Sequence, residues 1–214
     1  MKKLAVFDLD GTILNGTSAE RQLFIFLRRR RIIKPCHIIL FLMESARLII
    51  SGKARSLKKN KYYLYGISRT LLIELLPEFC TERLLPILSS EVIQHMQRLK
   101  NEGYRIIVIS GTPEIILTTL QSHLPFDEYI GSHLEINDDK ITGRVENLFP
   151  YGEDKAAALY SRYDKDAIDH AVSWSFANKY SDLPILEPFG NPVAVHPDRK
   201  LAAYAKHNGW LIIT

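Results

Sequence analysis

Two aspartates two residues apart, Asp8 and Asp10 in "FDLDGT", follow the apolar run "KLAVF". A strand points side chains two apart to one face, so both carboxylates leave its end in the same direction. Gly11 and Thr12 then turn the backbone. Carboxylates paired in this way suit a divalent cation, or a nucleophile beside an acid. Spacing excludes a calcium loop. With Asp8 as position 1, position 6 is Ile13 where such a loop needs Gly, and position 12 is Ala19 where it needs Glu. So apolar a strand also argues against a chance surface turn, which leaves catalysis.

Three later stretches carry compatible chemistry. In "VISGTP", Ser110 is expected to end a strand, Gly111 to allow close approach, and Thr112 to cap a helix that Pro113 begins. A hydroxyl beside free helix N–H groups suits an anion. In "YGEDKAAAL", Lys155 falls in the first turn of a predicted helix, where it opposes the helix dipole. A nearby anion would supply the reason for it. In "SFANKYSDLPIL" a polar turn follows the apolar "HAVSW" and carries Asp182. Asn178 stands there where an acid would complete a cation site.

The elements that position these residues alternate after residue 88. Helices are predicted in "EVIQHMQRLKNEG" (stopped by Gly103), "TPEIILTTLQSHL", "EDKAAALYSRY" and "PDRKLAAYAKHNG". Strands are predicted in "YRIIVIS", "HAVSWSF", "NPVAV" and "WLIIT". Such alternation implies an α/β fold with a doubly wound parallel sheet. Residues 19–88 show helical spacing instead, with breaks expected at Pro35, Gly52, Gly66 and Pro77.

The chain has 214 residues, 46% hydrophobic and 24% charged, which fits one soluble domain or a domain with an insertion. Cys36 and Cys80 lack zinc or CxxC spacing, so free thiols in a reducing compartment are expected. Acids interrupt the first apolar run too early for a signal peptide, making the cytoplasm the expected location. The net charge of +4 is concentrated in "RRRR" (residues 28–31) and "KARSLKKNK" (residues 53–61). These runs suit solvated helix faces or an anionic surface. They come with no nucleic-acid motif. The apolar stretch 32–50 is broken by Lys34, Glu44 and Arg47, and its longest uncharged run, residues 35–43, is too short to span a membrane. A packed cap helix and an interfacial helix both remain open.

In this order the four motifs resemble those of the haloacid dehalogenase (HAD) superfamily, specifically its phosphoserine-phosphatase-like branch, subfamily IB. The stretches "ITGRVENLFPYGEDKAAAL" and "SDLPIL" are similar to that branch beyond the bare motifs. The resemblance implies a Rossmann-like core of residues 1–16 and 89–214, with an all-helical cap inserted at 17–88. It implies a phosphoric monoester hydrolase in which Asp8 is the nucleophile and forms an aspartyl-phosphate. Asp10 would protonate the leaving alcohol and then activate water. Ser110 and Lys155, with N–H groups near Gly11 and Gly111, would hold the phosphoryl oxygens. Mg2+ would bind the Asp8 carboxylate, the Asp10 carbonyl and Asn178, while Asp182 would hold the lysine or a water and could move in to the metal. Asn178 departs from the branch, which usually has Asp there.

Two substrate classes follow from the resemblance. One is a small phosphorylated metabolite, phosphoserine-like. In phosphoserine enzymes of the branch a Glu soon after the first motif meets the amino group; Thr17 occupies that place, and Glu20 comes one helical turn later. The other is a lipid phosphate, because the basic, apolar cap resembles that of phosphatidylglycerophosphate phosphatases. It would bring peripheral contact with the inner membrane face. Asn178 alone suggests a third reading, a phosphate-binding relic, against which stands the presence of Asp8, Asp10, Ser110 and Lys155 together.

Overall fold

The computed structural model describes residues 1–146 and 149–214, with Arg55 described by its backbone alone. Asn147 and Leu148, within the "ITGRVENLFPYGEDKAAAL" stretch, lie outside the described residues.

The first strand, β1 (Leu4–Asp8), is buried at every position, as a strand covered on both faces requires. The chain then runs through α1 (Ala19–Arg29), α2 (Pro35–Ile50), α3 (Arg69–Phe79) and α4 (Ser90–Asn101) before β2 (Arg105–Pro113). Next come α5 (Glu114–Gln121), β3 (Glu128–Ser132), β4 (Leu134–Asn137), β5 (Lys140–Val145) and α6 (Asp154–Arg162). The last third is β6 (Trp174–Ala177), α7 (Leu183–Leu186), β7 (Asn191–Val195), α8 (Arg199–His207) and β8 (Leu211–Ile213). Six strands form one parallel sheet in the order β3-β2-β1-β6-β7-β8. This is the expected doubly wound α/β fold. From β1 the chain winds to one side through β2 and β3, then returns to wind to the other through β6, β7 and β8. The crevice of such a sheet therefore lies above the carboxyl end of β1.

Four local expectations are corrected. The strand expected to end at Ser110 continues to Pro113, because Pro113 pairs with Ser132 and the Ser132 hydroxyl donates to the Gly111 carbonyl at 2.8 Å. Thr112 therefore does not cap α5; Pro113 precedes that helix without a side-chain cap. The strand expected over "HAVSWSF" begins only at Trp174. Its missing first part is a turn in which Ser173 Oγ accepts from the Leu4 N–H at 3.0 Å. Finally, α3 runs through Pro77 to Phe79, and a wider turn at Cys80–Leu84 takes up the disruption directly after it.

No expectation was attached to β3, to α7 or to the pair β4 and β5. β4 and β5 form an antiparallel hairpin whose turn, Asp138-Asp139, has φ of 46° and 63°. Asp is among the residues that tolerate such a turn. The hairpin bonds to the helical segment: Lys61 N–H donates to the Gly143 carbonyl at 3.0 Å, and Gly66 N–H to that of Ile141 at 2.8 Å.

At the sheet centre Phe7 and Phe176 are paired across β1 and β6, with rings stacked at 4.3 Å. Phe7 is wholly buried beneath the crevice. Phe7→Ala should cost about 3–5 kcal/mol of stability. Urea unfolding followed by circular dichroism measures this, and an unchanged midpoint would contradict the packing.

Candidate active site

Each of the four motifs ends on the crevice. Asp8 is the last residue of β1, Ser110 lies near the end of β2, Lys155 is in the first turn of α6, and Asn178 follows β6. They line one cavity of about 500 Å3, together with Asp10, Gly111 and Asp182.

A buried lysine organises the floor. Lys155 Nζ donates to Asp8 Oδ1 at 2.6 Å and lies 3.0 Å from Asp182 Oδ1. Burial alone would lower its pKa, but the charges of Asp8 and Asp182 outweigh that and raise it, so the ammonium stays charged. The other Asp8 oxygen accepts from the Thr12 hydroxyl at 3.0 Å. Asp8 is thus fixed at both oxygens.

Asp10 has different surroundings. Its Oδ1 accepts from the Ala19 N–H at the start of α1 at 2.8 Å, and its Oδ2 lies 3.3 Å from the Thr112 hydroxyl. Desolvation, joined by the neighbouring charge of Asp8, pushes its pKa up to about 7. Asp10 can therefore carry a proton near neutral pH while Asp8 is paired with a cation. Two carboxylates of opposite protonation state are what an acid and a nucleophile need. Ser110 Oγ is held by the Thr112 N–H at 3.1 Å. Sequence reasoning had assigned Thr112 to a helix cap and so missed its place between Ser110 and Asp10.

Both glycines have a steric reason. Gly11 has φ +83°, and a Cβ there would meet Asn178 Nδ2 at 2.0 Å. A Cβ on Gly111 would come within 2.9 Å of the Phe149 ring. The amide of Asn178 thus packs onto the turn after Asp10. Its Oδ1 is shielded from solvent and has no hydrogen-bond partner among the described residues. A buried acceptor left unpaired is costly unless something else meets it. Asp8 and Asp10 line the same cavity and offer further hard oxygens, a carboxylate and a backbone carbonyl. This set fits Mg2+, which takes one or two carboxylates with further oxygen ligands. Among the described residues no group of three or more His, Cys, Asp or Glu is placed to hold a metal ion. Asp182 faces Lys155.

On the helical side of the cavity Lys61, from the run expected to be a solvated face or a surface patch, is instead buried. Glu20 accepts from buried Lys61 Nζ on both oxygens, at 2.5 and 2.7 Å, and Lys61 also donates to the Lys58 carbonyl at 2.8 Å. Phe24, Ile38, Phe41, Leu42 and Leu57 complete an apolar wall.

Residues 5–187 match the family model of the haloacid dehalogenase-like hydrolases. The phosphoserine phosphatase SerB1 of Mycobacterium tuberculosis (strain H37Rv) is 26% identical over 97% of this chain and 69% of its own length. A histidinol-phosphatase of Neisseria meningitidis serogroup C is 26% identical over 100% of this chain and 99% of its own. The fold is that of a phosphoserine phosphatase solved as a phospho-aspartyl intermediate analogue, with TM-score 0.68 and 20% identity, over 99% of this chain and 93% of that one.

The Asn178 geometry leads to a titration. A neutral amide offers a cation less than a carboxylate does. Asn178→Asp should lower the Mg2+ concentration for half-maximal hydrolysis of a phosphomonoester, by about tenfold for one added charge in partly buried surroundings. Asn178→Ala should raise it or end turnover. Superimposable Mg2+ curves for the three proteins would exclude this side chain from the metal.

Proposed function

The chain belongs to the haloacid dehalogenase-like hydrolases and is a phosphatase; from that premise we propose that it hydrolyses phosphomonoesters with Mg2+ through an aspartyl-phosphate on Asp8. Magnesium binding is general among HAD phosphatases. The observation that carries the reading is the contrast at the end of β1: Asp8 ion-paired with Lys155, Asp10 held up to about 7.

A carboxylate and a phosphate ester are both anions, so attack must be made electrostatically tolerable. Asp8, the Asp10 carbonyl and Asn178 would hold Mg2+, which would supply positive charge to the phosphoryl oxygens. Lys155 supplies the second positive charge, while Ser110 Oγ and the N–H groups beside Gly11 and Gly111 orient the phosphoryl group. An Asp8 oxygen then forms a bond to phosphorus, the bond to the ester oxygen breaks, and Asp10 gives its proton to the departing alkoxide. Asp10, now ionised, takes a proton from water, whose oxygen attacks the aspartyl-phosphate and frees Asp8 and inorganic phosphate. Residues 17–88 act as the cap that closes over the leaving group, on the core of residues 1–16 and 89–214.

The relatives named for phosphoserine and histidinol phosphate support a small phosphorylated substrate. The pair of Glu20 with Lys61 narrows it. Glu20 is the carboxylate best placed to meet a substrate amine, and it is already neutralised on both oxygens. An ester with an apolar, amine-free leaving group fits the adjoining wall better, which favours a lipid phosphomonoester as a second reading.

Asp8→Asn should remove turnover, because an amide cannot attack phosphorus, and loss of a covalent nucleophile costs at least about a thousandfold. Its circular dichroism spectrum should match the wild type. A folded variant that keeps the wild-type kcat would refute the assignment.

A further inference from the structure

The helix α2 is turned against the usual rule for a surface helix. Its Leu48 alone is buried, whereas Ile39, Met43 and Ile50 are 56%, 64% and 85% exposed. At 100° per residue Ile39, Leu42, Met43, Ala46, Ile49 and Ile50 fall within one arc of about 120°. All six are exposed. The polar residue Ser45 instead turns inward, where its hydroxyl accepts from the Asn60 side chain at 2.9 Å. A contiguous apolar arc of this kind on a water-facing surface marks an interaction site.

Charge identifies the occupant. Residues 21–73 carry thirteen Lys and Arg against one acid, Glu44, while the rest of the chain has fifteen against twenty-three. Arg28, Arg29, Arg31 and Lys34 lie exposed before α2, and Lys53 and Lys58 lie exposed after it. A second copy of this chain fits poorly, since pairing two such helices in either direction brings cations against cations. An anionic bilayer satisfies both features, taking the apolar arc into its interface and the cations at its headgroups. It need not be crossed: among the described residues no helix is long and apolar enough to span a membrane. The same helix walls the catalytic cavity through Ile38, Phe41 and Leu42. Leu42 is also 58% exposed, so the cavity mouth opens at the edge of the arc.

We propose that α2 docks the cap on an anionic phospholipid surface and that the phosphomonoester enters the cavity from that surface. The second half rests on the phosphatase reading above; the first does not.

The experiment is flotation of the full chain with vesicles of phosphatidylcholine alone or mixed with phosphatidylglycerol, beside hydrolysis of p-nitrophenyl phosphate without vesicles. Wild type should float with the anionic vesicles, less so as salt rises, and stay behind with the neutral ones. The triple variants Ile39→Gln/Met43→Gln/Ile50→Gln and Arg28→Gln/Arg29→Gln/Arg31→Gln should each bind about tenfold less or weaker still. Both should keep p-nitrophenyl phosphate hydrolysis within about twofold of wild type, since surface changes away from the site seldom disturb the fold. Phosphatidic acid in the anionic vesicles should be dephosphorylated by wild type and about tenfold more slowly by the apolar triple variant. Docking is overturned if wild type remains in the soluble fraction, if the apolar triple variant floats like wild type, or if that variant merely converts a dimer into a monomer. Flotation with phosphatidic acid left intact overturns surface entry alone. Absence of p-nitrophenyl phosphate hydrolysis in wild type would count against the phosphatase reading and leave the flotation result to stand.

Discussion

A single buried ammonium, Lys155, holds the centre of this molecule together. It is 4% exposed and is stabilised only because Asp8 and Asp182 lie 2.6 and 3.0 Å away. Each of the three comes from a different segment: the end of β1, the first turn of α6 and the turn after β6. A charge buried without its partners would cost several kcal/mol, so these segments are tied to one geometry. The same contact leaves Asp8 as an oriented carboxylate, while the charge of Lys155 lowers the pKa of Asp10 only slightly against stronger opposing effects. Desolvation and the Asp8 charge then hold Asp10 protonated near neutral pH. The contrast between two aspartates two residues apart therefore follows from a lysine beside one and the burial of the other.

Much of this was legible because the chemistry is concentrated at strand ends. The apolar run that ends at Asp8, the Gly-Thr turn after Asp10 and a lysine opposing the dipole of α6 are each visible in the sequence, and each meets the crevice. What was not legible depends on tertiary partners. Thr112 sits before a proline and a helical pattern, and nothing local reveals that Ser132 and β3 keep it extended. Pro77 marks a break by local rules, yet the helix runs two residues past it before widening. The hairpin of β4 and β5 is short and half exposed, with a weak apolar alternation. Asn178 was read as a softened ligand from its position. That its Oδ1 is shielded and has no partner among the described residues is visible only in three dimensions.

The helical segment shows how the same core motifs can face different chemistry. In sequence, Glu20 stands one turn beyond the place where a substrate amine would be met. In the structure its carboxylate is occupied by Lys61, with Tyr63 Oη 3.4 Å away. That pair, its lysine buried and its glutamate half-buried, closes the polar side of the cavity and leaves Phe24, Phe41 and Leu57 to form its wall. Specificity of this kind is set by which polar groups are already satisfied, since an unpaired one would demand a partner from the substrate. On the proposed reading the fold separates its tasks, with phosphoryl transfer at the carboxyl end of β1 and leaving-group selection in the helices.

The central claim is that Asp8 itself carries the phosphoryl group during turnover. The most direct measurement is peptide mass spectrometry of the Asp10→Asn protein, quenched in acid after brief exposure to a phosphomonoester and Mg2+, then reduced with borohydride. With p-nitrophenyl phosphate, whose nitrophenolate leaves without needing the proton of Asp10, loss of the base for water attack should let the intermediate accumulate, and reduction should mark position 8 alone. Turnover by this variant with no mark at Asp8, or with the mark on another residue, would contradict the account.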